Sequence, residues 1–108
     1  MKNYDTPLLD DDMYPTEHAL DKILNWSDSF IDLMLFVRPL WNYSIFGHWT
    51  ETEVGSNKIE YAISTAGWSG NESIIQALKT NKHHFWTLCW VQSRRGGHYI
   101  FEVKEDGN

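Results

Sequence analysis

Two short stretches of the chain hold the residue types best suited to binding chemistry. Gly67-Trp68-Ser69-Gly70-Asn71 places two glycines around a tryptophan just ahead of an amphipathic run. If that run is a helix, its free N–H groups and the positive end of its dipole face out of the turn, which suits an anion. Gly67 and Gly70 let a ligand or another backbone approach closely. Arg94-Arg95-Gly96-Gly97-His98 is the only concentrated positive charge in the chain. Guanidinium groups grip carboxylates and phosphates in a planar fork. Trp68, Ser69, Gly70, Asn71, Arg94, Arg95 and His98 are therefore the expected ligand- or partner-binding residues, with Trp68 as an apolar wall. The competing reading is structural. It makes the first stretch a capped helix with Trp68 folded onto the core, and the second a solvated turn whose arginines offset acidic residues elsewhere.

Neither stretch carries a complete catalytic or metal-binding signature. The glycine spacing around Trp68 is not a phosphate-binding loop, because no Lys-Ser or Lys-Thr follows, and it is not a dinucleotide fingerprint. Ser69 can be imagined with His98 and Glu102. However, glycine follows Ser69 after one residue rather than two, unlike a nucleophile elbow. Ser69 also suits a helix cap, since Ser69 and Glu72 have the S-x-x-E spacing of a capping box. His18, His48, His83, His84 and His98 accompany the single cysteine, Cys89. They lack the short ligand spacings of a zinc site, and adjacent His83 and His84 on a strand would point to opposite faces. The expectation is no catalytic residue, no metal and no cofactor.

The elements that must position these residues can be read from periodicity. Pro15 suits a first helical turn, and Leu20, Ile23 and Leu24 follow at helical spacing, predicting a helix over Pro15–Asn25. Residues 30–37 (FIDLMLFV) are apolar without alternation and predict a buried helix that ends or kinks at Pro39. Ile59, Tyr61 and Ile63 alternate with polar or small residues, so 42–52 and 58–64 read as a hairpin around the turn Glu53–Asn57. Ile74, Ile75 and Leu78 form the apolar stripe of a helix over Gly70–Thr80. Phe85–Ser93 (FWTLCWVQS) is β-branched and aromatic enough for a central strand. Gly96-Gly97 is a tight-turn signal, and Tyr99, Phe101 and Val103 alternate in a fourth strand. The order α-α-β-β-α-β-β predicts an α+β fold, with about three helices on one face of a mostly antiparallel four-stranded sheet. The joint between strands two and three is open, since a helical connection also supports a parallel crossover.

Composition sets the outer limits. A chain of 108 residues suits one domain. Its 42% hydrophobic and 22% charged residues are a globular balance. The six tryptophans can fill a small core with large rings, or leave one or two on a binding surface. The net charge of −6 is uneven: residues 1–60 hold four basic and eleven acidic side chains, whereas residues 61–108 hold five and four. An acidic first half argues against direct nucleic-acid binding. It is compatible with solubility alone, with a basic protein partner, or with imitation of nucleic-acid charge. Residues 1–13 read as an acidic arm or strap, 14–104 as one domain, and 105–108 as a frayed tail. One cysteine allows no internal disulfide, no signal-peptide core opens the chain, and the run Leu33–Val37 is too short to cross a bilayer. The expected location is cytoplasmic.

The segments GWSGNESII, FWTLCWVQS and RRGGHYIFE, within Thr65–Glu102, resemble small proteins of bacteria and their phages. In that pattern a GWSGNE turn precedes a helix and a later strand ends in RGGHY. The resemblance carries no established activity. It implies a bacterial or phage setting, in which an inhibitor of a host system is a natural role. Pro39 departs from the uninterrupted helix that the pattern leads one to expect.

These observations favour a small, acidic, non-enzymatic protein that binds a protein partner, with inhibition of a host defence system as its expected role. The alternative is a small-ligand module taking a phosphate- or carboxylate-bearing molecule at the start of the third helix and the RRGGH hairpin.

Overall fold

A computed structural model describes residues 7–41 and 48–104. Residues 1–6 of the acidic arm, 42–47 of the first predicted strand and the tail at 105–108 lie outside the described residues.

Helix α1 covers Glu17–Leu24, and Thr16 caps it, its Oγ1 accepting from the Ala19 N–H at 3.2 Å. Thr16 Oγ1 also donates to the Pro7 carbonyl at 2.9 Å, and the Thr16 N–H donates to the Leu8 carbonyl at 3.0 Å. The intervening loop closes on Asp10, whose Oδ1 accepts from the Asp12 and Tyr14 N–H groups. Leu8 and Leu9 thereby pack against the core. Helix α2 is Phe30–Val37, capped by Ser29, and it ends where Pro39 dictates. Arg38–Leu40 tighten into a 3-10 turn with the proline at its start.

The remaining elements are β1 (His48–Glu53), β2 (Lys58–Ser64), α3 (Ser69–Lys79), α4 (Phe85–Cys89), β3 (Trp90–Arg94) and β4 (His98–Lys104). They form an α+β fold with a four-stranded sheet in the order β1-β2-β4-β3, every neighbouring pair antiparallel. β2 and β3 therefore run in the same direction without touching. The α3–α4 connection carries the chain past β4, which settles the joint that periodicity left open.

One face of the sheet carries the core. Tyr61 and Ile63 of β2 and Phe101 and Val103 of β4 are buried under Ile23 of α1, Leu33, Met34 and Val37 of α2, and Ile74 and Leu78 of α3. Phe85 sits at the centre, its ring 5.3 Å from Phe30 and 5.2 Å from Phe101. Full burial of each such ring removes on the order of 150–250 Å² from water, which makes Phe85 a principal stabilising residue. Asn81 ties the two ends of the helical layer together. Its Nδ2 donates to the carbonyls of Ile23 (2.7 Å) and Trp26 (3.2 Å), while its Oδ1 accepts from the N–H groups of His83 and Phe85.

Two local expectations are corrected. Phe85–Ser93 is not one central strand: Phe85–Cys89 forms a helical turn, and only Trp90–Arg94 is strand, at the sheet's edge. The cause lies just upstream. His84 adopts left-handed backbone at φ 70°, and Asn81 Oδ1 takes the first free N–H of the turn. Phe85 and Cys89, four apart, then share the buried side. The second correction concerns the capping box. Trp68 occupies the N-cap position without a side-chain capping bond, so Ser69 lies inside the first turn of α3. The Glu72 carboxylate accepts from Thr65 Oγ1 at 3.4 Å instead of reaching back to Ser69.

Candidate functional site

The start of α3 is reached through a tight turn. The Trp68 N–H donates to the Thr65 carbonyl, the Gly67 N–H donates to Thr65 Oγ1 at 3.1 Å, and Ala66 and Gly67 both take positive φ. This turn throws the Trp68 ring back across the helix start. A Cβ on Gly70 would lie 2.2 Å from the ring, so the absent side chain of Gly70 is the space Trp68 occupies. Tyr14 covers Trp68 from outside with ring centroids 4.7 Å apart, and its hydroxyl accepts from Ser69 Oγ at 3.2 Å. Gly70 and Asn71 are buried. Of this stretch, Gly67, Ser69 and part of Trp68 face solvent.

The Arg94–His98 stretch forms the β3–β4 hairpin, with Arg94 paired to His98 and Gly96 and Gly97 both at positive φ. The two turns adjoin through Thr65. The Thr65 N–H donates to the Gly97 carbonyl at 3.0 Å, and a Cβ on Gly97 would collide with Thr65 Oγ1. Arg94, Arg95 and His98 are exposed, and neither arginine pairs with a carboxylate among the described residues. His98 Nδ1 is hydrogen-bonded to Ser64 Oγ at 2.5 Å. Ser69, His98 and Glu102 do not converge: they bond to Tyr14, Ser64 and Lys58 respectively.

A second surface lies at the opposite end of β3 and escaped sequence reading. Leu88 is 67% exposed, Trp90 42% and Val91 41%. β3 has β4 on one side and no strand on the other among the described residues. Its pairing shifts register between Trp90 and Gln92, a bulge that leaves Val91 out of the ladder. Beside it opens a cleft of about 370 Å³, floored by Phe30, Cys89 and Val103, with Lys58, Glu102 and Lys104 as its charged lining. Reading 85–93 as a central strand hid this surface. The helical spacing of Phe85 and Cys89 was the available signal, since it turns Leu88 outward.

Electrostatics add little chemistry at either place. Burial pushes the Cys89 thiol up to about 12, which keeps it protonated and unreactive at neutral pH. Burial alone would raise the Glu51 carboxyl. Hydrogen bonds from Trp49 Nε1 (2.9 Å) and Arg38 (2.8 Å), with the Arg38 charge, outweigh it and hold Glu51 below its ordinary value. Among the described residues no three His, Cys, Asp or Glu side chains are placed to share a metal ion, and no helix is long and apolar enough to cross a membrane. Compared with protein-family models, with curated proteins and with solved structures, the chain matches none of them.

Proposed function

We propose that this chain is a non-enzymatic interaction protein that receives an extended segment of a protein partner along β3. One observation carries the reading: Trp90 and Val91 of β3 and Leu88 of α4 are exposed together at a sheet edge that no further strand covers among the described residues, beside an apolar-floored cleft. Natural sheets commonly protect such an edge with charges, proline, a bulge or a covering element, because free N–H and C=O groups recruit another strand, and of these the start of β3 carries the bulge at Val91. That stretch is nevertheless apolar, with Trp90 and Val91 on the strand and Leu88 of α4 beside them. A partner strand would gain main-chain hydrogen bonds along β3 and place an apolar side chain over Phe30 and Val103, the recognition mode of strand addition. Lys104 at the rim favours an acidic residue next to that anchor, whereas Lys58 is already paired with Glu102. The resemblance to small bacterial and phage proteins extends the reading to an inhibitor that occupies a host protein's strand-pairing segment.

The test compares capture of a bacterial partner by wild type, Leu88→Glu, Val91→Glu and Leu35→Glu. Leu35 is 55% exposed on the outer side of α2 and controls for general surface stickiness. The expected result is a stoichiometric partner lost with Leu88→Glu and Val91→Glu and kept with Leu35→Glu. A partner held by all four proteins, or no partner above background, would defeat the proposal.

A further inference from the structure

We propose that the helix-free face of the sheet holds, at its hairpin end, a binding site for a phosphate monoester, built by His48, Ser64, His98 and Arg94. The inference goes beyond the partner-binding edge and does not depend on it.

The strand register assembles the site. His48 pairs with Ser64, Ser64 with His98, and His98 with Arg94, so these residues form one row across all four strands. Directly paired residues share a face of the sheet. Their sequence neighbours Trp49, Ile63 and Tyr99 pack toward the helices, which places the row on the opposite face.

The row is a set of donors. His48, His98 and Arg94 are exposed. Ser64 is 9% exposed, and its carbonyl accepts from Trp41 Nε1 at 3.2 Å, so its position is fixed from the core side. Its hydroxyl holds Nδ1 of His98 and leaves Nε2 for a ligand. When Ser64 donates, the proton of the neutral ring sits on Nε2, which then serves as a donor. Arg94 Nε donates to Gln92 Oε1 at 3.3 Å, directing the guanidinium along the strand with its terminal NH₂ groups available. Gly96 matters here for space: a Cβ there would lie 3.3 Å from His98 Nε2.

Charge on the rest of the face narrows the ligand. The next row, Thr50, Ala62, Ile100 and Gln92, is uncharged, and the first carboxylates, Glu60 and Glu102, come one row further on. Two residues along a strand span about 7 Å. A single compact anion can therefore sit on the row without meeting them. A long polyanion would meet them, on a chain whose net charge is −6. Two imidazoles and a guanidinium approach from separate strands, which matches the divergent oxygens of a phosphoryl group. A carboxylate is satisfied by the arginine fork alone.

The probes are inorganic phosphate and phenyl phosphate, with benzoate as the carboxylate counterpart, titrated while the histidine ring resonances are followed by NMR. The expected result is saturable shifts of His48 and His98, with His18, His83 and His84 unmoved, and weaker binding of benzoate. Arg94→Gln and His98→Gln, both at exposed positions, should each weaken phenyl phosphate about tenfold, the loss of one charge-assisted hydrogen bond. Lys82→Gln, which removes an exposed cation elsewhere, should change it less than twofold, within the range of a screened distant charge. Equal drift of all five histidines, benzoate binding as tightly as phenyl phosphate, or Arg94→Gln behaving like Lys82→Gln would each overturn the site.

Discussion

Replacing Gly97 by alanine probes the junction on which the arrangement of the two turns depends. Gly97 has φ 78°, and an added Cβ would lie 2.1 Å from Thr65 Oγ1. Two costs follow. Holding alanine in left-handed backbone costs about 1–2 kcal/mol. Forcing a methyl group into an occupied, buried contact costs about 1–3 kcal/mol more. Gly67 separates them, because it has the same φ of 78° with nothing within 4 Å of an added Cβ. Gly67→Ala should therefore show the backbone cost alone, and Gly97→Ala should exceed it by about 1–3 kcal/mol, the steric part. Urea unfolding followed by tryptophan fluorescence measures both, provided the denaturant slope is unchanged. Thr65→Ala in the Gly97→Ala background should recover part of the excess, since contacting pairs couple by about 0.5–3 kcal/mol. Equal destabilisation by Gly67→Ala and Gly97→Ala, with no coupling to Thr65, would refute the packing of the hairpin against the start of α3.

Three further outcomes are expected. Asn81→Ala should destabilise by about 2–4 kcal/mol in thermal or urea unfolding, because it strips partners from backbone groups at the buried ends of α1 and α4; a loss near that of a surface substitution would contradict its bridging role. Cys89, raised to about 12, should react with a thiol reagent at pH 8 only as fast as the protein opens. Its folded value lies above the unfolded one, so the associated stability is present below about 9 and is lost as pH rises toward 12; rapid native-state labelling would contradict its burial. Glu51 is held below its ordinary value, so its stability contribution is present above the unfolded value and is lost as pH falls through the folded one. Unfolding between pH 6 and 3 should accordingly be steeper for wild type than for Glu51→Gln, by less than about 1 kcal/mol because the pair is partly exposed; identical acid profiles would contradict the Trp49–Glu51–Arg38 arrangement.

The parts of the fold legible in the sequence are those where one local rule acted alone. Lys58–Ser64 alternates cleanly because one face of β2 is core, and its predicted bounds match the strand. Phe30–Val37 is apolar at every position but Asp32, and Pro39 removes an N–H, so both its helical character and its end were readable. Where tertiary contacts compete with local pattern, the reading failed. Phe85–Cys89 has strand-like composition, yet Asn81 and the left-handed His84 start a helical turn. The S-x-x-E spacing at Ser69 is sound as a cap, yet the Thr65 turn begins the helix one residue early and Trp68 takes the N-cap place.

The candidate site divides along the same line. Arg94, Arg95 and His98 were visible because two glycines mark a hairpin tip, which must face solvent. Burial of Gly70 was not visible, since it depends on the Trp68 ring folding back over it beneath Tyr14, which comes from a distant position in the chain. Ser64 and His48 join His98 only through sheet register, a pairing that a single sequence does not encode locally.

The central claim, that β3 is the docking edge, is tested most directly by a photoreactive benzoylphenylalanine placed at Val91, with the same residue at Leu35 as control. Irradiation of the captured complex should link position 91, and not position 35, to an extended segment of the partner. Crosslinks that form at position 35 and are absent at position 91 would contradict it.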